Sequence, residues 1–428
     1  MTDRLLTFYG DDFTGSTDAL EAVASHGIPS VLFLNPPDED LLAQFSECRA
    51  IGIAGESRSR GPGWMDAQLP PVFEALKRIG APICQYKVCS TFDSAPETGS
   101  IGRAMEIGQR VFRNPWVPIA VAAPHLKRYV VFGNLFALAA GTVYRIDQHP
   151  TMSRHPVTPM DEADLRRHLA LQTHGRIELV DIVALESGNA EALLEKVLAA
   201  SPAAVLFDGL LQDTIQETGR LIWSKRSEEP MFCVGSSGLT HALMLHWREI
   251  GLIPRTHTPP VVNKIDRLIV ISGSCAAATE LQLRWAMRNG YTGIRVDAGT
   301  HPFSGVVSEA LNALKEGRNI AIYSALGPGD CIGIPHGETL GRYLGSLLLE
   351  LVRQSGVRRA VIAGGDTSSH AVRQLGIQAL TFAGLLSPGA PLCRAHSGES
   401  AIDGLELVLK GGQVGPENFF EMVQKGTS

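Results

Sequence analysis

Residues 5–15 read Leu5-Leu6-Thr7-Phe8-Tyr9-Gly10-Asp11-Asp12-Phe13-Thr14-Gly15. A short apolar run ends in a glycine and two adjacent carboxylates. The stretch from Asp18 to Gly27 then spaces its apolar residues as an amphipathic helix does. Strand, polar loop and helix form the repeating unit of α/β proteins. At the end of a strand such side chains either cap the next helix or meet a ligand, and Asp11, Asp12 and Thr14 fit both roles.

The same unit recurs. Short apolar runs lie at 30–34, 50–55, 83–89, 119–123, 179–185, 203–209 and 231–236, with helical periodicity between most of them. Runs that are apolar throughout predict a mostly parallel sheet with helices on both faces. The stretch 129–146 is more closely spaced and reads as a hairpin inserted in this scheme. Residues 251–267 carry three prolines and no clear period, so a domain boundary is expected there. Beyond it the alternation restarts. The fold expected is α/β in two domains, 1–255 and 256–428, each a mostly parallel sheet flanked by helices, the first with a hairpin insertion.

Composition narrows the partners. The chain has 428 residues, 44% hydrophobic and 19% charged, with a net charge of −6. That length suits two or three domains at roughly 150 residues each. No basic surplus points to nucleic acid. No apolar run approaches the ~20 residues of a membrane span. The seven cysteines are scattered, without a CxxC, and read as reduced thiols. The N-terminus shows no basic-then-apolar signal pattern, and a cytoplasmic location is expected.

Ligands of open α/β sheets bind beyond the carboxyl ends of the strands. In the second half three such loops share a composition: Ser272-Gly273-Ser274-Cys275, Gly364-Gly365-Asp366-Thr367-Ser368 and Lys410-Gly411-Gly412. Glycines let backbone amides converge on an anion, and helix N-termini add partial positive charge. Each loop alone also reads as a tight turn into a helix, with Ser274 or Thr367 as cap. Three in one domain point to a phosphate-bearing ligand. Neither a Walker A pattern nor GxGxxG is present, which argues against a dinucleotide dehydrogenase.

The first half offers different loops. Asp11 and Asp12 follow the first strand, Arg58 lies in Glu56-Ser57-Arg58-Ser59-Arg60, and Lys87-Val88-Cys89-Ser90-Thr91 ends another strand. Arg154 follows the hairpin. Arginine and lysine are natural hosts for a carboxylate, while serine, threonine and aspartate suit sugar hydroxyls. Asp12 also reads as an N-cap, Arg58 as a surface residue and Lys87 as a snorkelling strand end. His149 and His155 lack a third ligand at useful spacing, and no metal site is expected from protein side chains. One domain for a small polyhydroxy acid and another for phosphates is the division a small-molecule kinase needs.

The stretches GDDFTGSTDAL, GESRSR, YKVCSTFDSAPETGSIGRA, HPTMSRHPVTPM, VGSSGLTHAL, ISGSCAAATELQ, AGGDTSSHAVRQLGI, LLSPGAPLCR and LVLKGGQVG run in order over nearly the whole chain. In them the chain resembles the four-carbon acid sugar kinase family. The resemblance implies an N-terminal domain for the acid sugar and a C-terminal domain for ATP. Mg²⁺ bridging phosphate oxygens, aided by Asp366, is expected from the chemistry of phosphoryl transfer. The resemblance also implies Asp11, Asp12, Arg58, Lys87, Ser90 and Thr91 at the sugar acid. It implies Ser272, Ser274, Gly364, Gly365, Asp366, Thr367, Gly411 and Gly412 at the nucleotide. Asp12 as catalytic base is an inference from chemistry, with Asp11 nearly equivalent; Lys87 is the second expected catalytic residue. Many members read K-I-D-S-T-L-R-G where this chain has Lys87-Val88-Cys89-Ser90-Thr91-Phe92-Asp93-Ser94. A lost acid and an acid gained for a base change which substrate fits, and bring in branched or oxidised acids such as 3-oxo-isoapionate. A homodimer is expected on the general frequency of such assemblies. The competing expectation is a non-catalytic sugar-acid sensor.

Overall fold

A computed structural model describes residues 3–139, 141–155, 157–297, 302–330 and 337–427. The chain forms two compact units. The first comprises residues 1–11, 26–30 and 36–257, and the second residues 12–25, 31–35 and 258–428.

In the first unit the strands run in the spatial order Ala50–Ala54, Leu6–Gly10, Ile83–Lys87, Met231–Gly235, Val117–Ala120, Ala204–Phe207, Ile177–Val180. All these neighbours pair in parallel. Their side chains are buried along most of the sheet, which is why the sequence shows unbroken apolar runs instead of alternation. The core gathers around Phe73 of the helix Pro62–Ile79. Its ring lies 5.9 Å from Tyr9, 6.2 Å from Tyr86 and 5.2 Å from Phe232. The insertion expected as a hairpin is a three-stranded antiparallel sheet, Arg128–Val131, Asn134–Ala139 and Thr142–Arg145. The buried carboxylate of Asp208 fixes its first turn by accepting the amides of Phe132 at 2.6 Å and Gly133 at 2.9 Å.

The second unit has a parallel portion in the order Thr292–Arg295, Ile320–Tyr323, Ile269–Ser272, Arg359–Ala363, Glu406–Lys410. It continues antiparallel through Ala390–Ser397 and Ile377–Ser387. The run at Ser30–Phe33, expected among the strands of the first domain, pairs antiparallel with Ile377–Ser387. The helix Phe13–Ala24 also packs on this unit, against Ile377–Ser387, Ala390–Ser397 and the helix Gly365–Gln374. The Arg373 guanidinium sits 5.3 Å from the Phe13 ring centroid, and Gly389 donates its amide to Glu21 at 3.0 Å. Local periodicity identifies a strand or a helix but not the distant partner that covers its apolar face.

Cys48, Cys84, Cys89, Cys233 and Cys393 are free thiols. Cys275 is disulfide-bonded, which corrects the reading of all seven as thiols. Spacing along the chain does not report which sulfurs a fold brings together. Among the described residues no helix is long and apolar enough to cross a membrane.

Because Phe73 is fully buried among four other aromatic rings, Phe73→Ala is expected to destabilise the protein by about 3–5 kcal/mol. Urea unfolding followed by far-ultraviolet circular dichroism measures this.

Candidate functional site

The strands of the first unit end level with one another. Gly10 pairs with both Ala54 and Lys87, and Lys87 pairs with Gly235. The loops after these strands therefore open from one edge of the sheet. Asp11 stands at this edge, its amide donating to the Lys87 carbonyl at 2.9 Å.

Asp11 is buried, and its carboxylate is gripped by Arg58. Nε donates to Oδ2 at 3.1 Å and a terminal guanidinium nitrogen to Oδ1 at 3.2 Å. This two-point fork is the strong form of the ion pair. The 3₁₀ turn Ser57–Ser59 aims the arginine, held in turn by the Arg58 amide on the Asp11 carbonyl and by Ser57 Oγ 2.8 Å from the Tyr86 hydroxyl. Sequence reading set Arg58 and Asp11 side by side at the substrate without showing that they hold each other.

Asp12 is the N-cap of the helix Phe13–Ala24. Its Oδ1 accepts the Gly15 amide at 2.5 Å, and Thr14 Oγ1 lies 3.2 Å from its Oδ2. Of the two roles open to Asp12 at a strand end, capping is therefore realised. It leaves a carboxylate fixed in rotamer at the positive end of a helix.

The loop that begins at Lys87 and Val88, both buried, turns sharply at Phe92. That residue is buried with φ of +58°, a left-handed conformation that costs a non-glycine residue on the order of 1–3 kcal/mol. The turn brings Thr91 Oγ1 to 2.5 Å from Asp93 Oδ1 and 2.9 Å from Cys89 Sγ. Burial works against the ionised form of Asp93. The Arg58 charge, the Thr91 hydroxyl and His155 outweigh it and hold the carboxyl below its usual range. Burial, and then the Asp93 charge, pushes the Cys89 thiol up. Behind the turn, Ser94 Oγ is 2.9 Å from His168 Nε2, and Gln172 donates to the same hydroxyl at 2.9 Å.

The structure thus brings Asp11, Arg58, Lys87, Val88, Cys89 and Thr91 to one edge, with Ser90 between them in the chain. Arg154, in the turn Met152–Arg154, is exposed. His149 Nδ1 accepts the amides of Thr151 and Met152, and His155 Nδ1 accepts that of Thr158, so both rings act as turn caps. Sequence reasoning noted Asp93 only as an unusual residue, and His168 and Gln172 gave no local signal.

The second unit repeats the design. Ser272 is level with Ala363, and Ala363 with Lys410. The three small-residue loops follow these strand ends and interlock. The Gly273 amide donates to Ala363 O at 3.1 Å, and the Gly364 amide to Lys410 O at 2.9 Å. A Cβ on Gly273 would lie 2.2 Å from Thr367 Oγ1, and one on Gly412 would lie 2.7 Å from Ser274 Oγ. Gly364 has φ of +118°, open only to glycine, and leads into Gly365 at the start of the helix Gly365–Gln374. The helix Ala277–Arg288 begins beside it. Two helix N-termini and a glycine-lined backbone form a cradle with the chemistry of a phosphate site. Ser272, Ser274, Gly364, Gly365, Thr367, Gly411 and Gly412 all belong to it. The side chain of Asp366 lies outside the described residues.

Lys410 is fully buried beneath the cradle. Its Nζ donates to Thr279 Oγ1 at 3.0 Å and to the carbonyls of Gly411 at 3.0 Å and Gly412 at 3.4 Å. These donated bonds support the loop from below, and burial lowers its pKa to about 7.

Residues 6–243 match the family described as a sugar-binding N-terminal domain, and residues 269–420 that described as a nucleotide-binding C-terminal domain. The chain is 46% identical over 444 residues to a 3-oxo-isoapionate kinase of Paraburkholderia graminis, covering 99% of this chain and 94% of that protein. The chain belongs to the four-carbon acid sugar kinase family. A more distant member of the family, a 3-oxo-tetronate kinase of Cupriavidus necator, is 27% identical over 97% of this chain and 96% of its own. Two solved structures share the fold of this acid sugar kinase family member. One is a Salmonella typhimurium protein described as a putative tRNA synthase, with TM-score 0.78, 23% identity and 99% of each chain covered. The other is a Haemophilus influenzae protein, with TM-score 0.73, 24% identity and 98% and 99% covered.

Lys410 gives a pH test of the cradle. Between pH about 7 and the ordinary lysine value of 10.5, the unfolded chain carries a proton at this site that the folded chain lacks. Stability contributed by this residue therefore rises with pH across that window. In Lys410→Met this rise is absent, so the wild-type stability relative to the variant is expected to increase from pH 7 to pH 10. Urea unfolding of both proteins at a series of pH values reads the difference.

Proposed function

We propose that the protein is an ATP-dependent kinase that phosphorylates a hydroxyl of a small sugar acid, with 3-oxo-isoapionate as its substrate. The observation that carries this reading is the pairing of two strand-end sites of opposite chemistry. One is a carboxylate, arginine and lysine edge in the unit that matches a sugar-binding family. The other is an interlocked glycine and serine cradle in the unit that matches a nucleotide-binding family. The identity of 46% to a 3-oxo-isoapionate kinase supports the choice of substrate, as does the Cys89, Thr91 and Asp93 cluster in the substrate loop.

In this reading the amides of the Gly273, Gly364 and Gly412 loops hold the ATP phosphates. Mg²⁺ enters with ATP and offsets the charge on its phosphate oxygens. Lys87 binds the substrate carboxylate. Asp12 accepts the proton of the attacking hydroxyl as its oxygen bonds to the γ-phosphorus and the bond to the β-phosphate oxygen breaks, releasing ADP. The cap bonds from Gly15 and Thr14 fix the Asp12 carboxylate for that task. Asp11, pinned by Arg58, orients a substrate hydroxyl and keeps the arginine charge at the edge. Arg154 closes the substrate's open side. The working form we propose is a cytoplasmic homodimer.

A coupled ADP-release assay with ATP, Mg²⁺ and a panel of four-carbon and branched five-carbon acids, including 3-oxo forms, tests this. Turnover is expected on 3-oxo-isoapionate. Asp12→Asn keeps a good N-cap residue, so folding is retained while kcat falls by about 10² or more. Lys87→Ala is expected to raise KM for the acid with little change in KM for ATP. Tight binding of an acid without ADP release would replace the kinase by a sensor.

A further inference from the structure

The stretch Gly235-Ser236-Ser237-Gly238 follows the strand Met231–Gly235 and opens the helix Ser237–Glu249. Gly235 is level with Lys87 on one side and with Ala120 on the other. The turn is thus part of the edge that carries Lys87 and Asp11.

Most of its polar groups are paired. The Ser236 amide donates to Ala120 O at 3.2 Å, and Ser236 Oγ donates to Val121 O at 2.7 Å while accepting the Gly238 amide at 2.9 Å. The Gly235 carbonyl accepts the Val88 amide at 2.9 Å and Gln85 Nε2 at 3.1 Å. The same Gln85 nitrogen reaches Ser236 O at 2.9 Å, and Gln85 Oε1 accepts the Thr240 hydroxyl at 2.8 Å. Gln85 and Thr240 are fully buried. Gly238 is pressed so closely on the neighbouring strand end that an added Cβ would lie 1.8 Å from Ala122 O. Within this rigid frame Ser237 Oγ is buried, the residue being 1% exposed, and has no hydrogen-bond partner.

A buried hydroxyl left unpaired costs roughly 1–3 kcal/mol. A frame in which Gln85, Ser236 and Thr240 are all paired while this hydroxyl is not reserves it for a ligand. Ser237 is the first residue of a 13-residue helix, so its hydroxyl stands at the positive end of the helix dipole, on the strand end adjoining that of the Lys87 cation. Hydroxyl, helix N-terminus and lysine together select an anion. In a sugar-binding unit whose Arg58 is already committed to Asp11, the anion that needs such a host is the substrate's carboxylate.

Resting on the kinase reading for the nature of the substrate, we propose that Ser237 and the N-terminus of its helix form the carboxylate subsite of the sugar acid, alongside Lys87. The subsite distinguishes the acid from the corresponding neutral sugar.

The test is calorimetric binding to the full chain of 3-oxo-isoapionate, of the same skeleton with a hydroxymethyl group in place of the carboxylate, and of inorganic phosphate. It compares wild type, Ser237→Ala and Ser237→Thr. Ser237→Ala is expected to weaken the acid about tenfold or more, as loss of one hydrogen bond to a charged group does. Binding of the neutral analogue should stay within twofold, and Ser237→Thr, which keeps the hydroxyl, should restore much of the loss. Equal weakening of acid and neutral analogue, or unchanged acid binding in Ser237→Ala, overturns the proposal. So does a Ser237-dependent site that takes inorganic phosphate and not the acid. ADP release is measured separately: binding of the acid to wild type without turnover removes the kinase reading and leaves the subsite standing, whereas wild type that binds no acid removes the subsite.

Discussion

The constraint on which both units depend is the common level at which their parallel strands end. In the first unit Gly10, Ala54, Lys87 and Gly235 share that level, and in the second Ser272, Tyr323, Ala363 and Lys410 do. Parallel hydrogen bonding fixes register over the whole strand, so the first residue of each following loop is placed by backbone geometry before any side chain acts. Small residues exploit this. Gly364 takes a φ open only to glycine, and Gly273 and Gly412 let three loops approach within distances that a Cβ would forbid. Gly238 does the same for the helix that follows Gly235.

Charge is the second organising term, and it is handled by pairing. Arg58 holds Asp11 in a two-point fork, and its field also keeps Asp93 ionised against the opposing effect of burial. One cation thereby steadies two carboxylates at this strand edge. Lys410 follows another course. It is buried, meets a hydroxyl and two carbonyls, and gives up part of its basicity. The first arrangement holds charge by an ion pair, and the second turns the side chain inward to brace the loop backbone.

Much of this was legible in the sequence, because strand, loop and helix periodicities are local and loop composition is local too. Loop composition places Asp11, Lys87, Thr91, Ser274, Gly364 and Gly412 at strand ends or in the loops that follow them, and the structure has them there. What escaped depends on distance along the chain. The ion pair of Arg58 with Asp11 spans 47 residues, and the support of Ser94 by His168 spans 74. The antiparallel partner of Ser30–Phe33 lies more than 340 positions later. Ser237 lies in the stretch VGSSGLTHAL, but that its hydroxyl is unpaired appears only once the fold sets Gln85, Ser236 and Thr240 around it. The direction of the Lys410 side chain was likewise invisible, since a lysine beside two glycines reads equally well as a phosphate contact or as a brace.

The route of the chain through the two units has a consequence for biogenesis. The backbone passes from one unit to the other at 11/12, 25/26, 30/31, 35/36 and 257/258. The helix Phe13–Ala24 leaves the ribosome more than 350 residues before the strands on which its apolar face packs, Ile377–Ser387 and Ala390–Ser397. Over that interval the face has no native surface to cover it. The second unit closes only once these strands are made, while the parallel strands of the first unit are already available to pair. Elongation therefore separates the assembly of the two units in time and leaves an early amphipathic segment waiting for its partner strands.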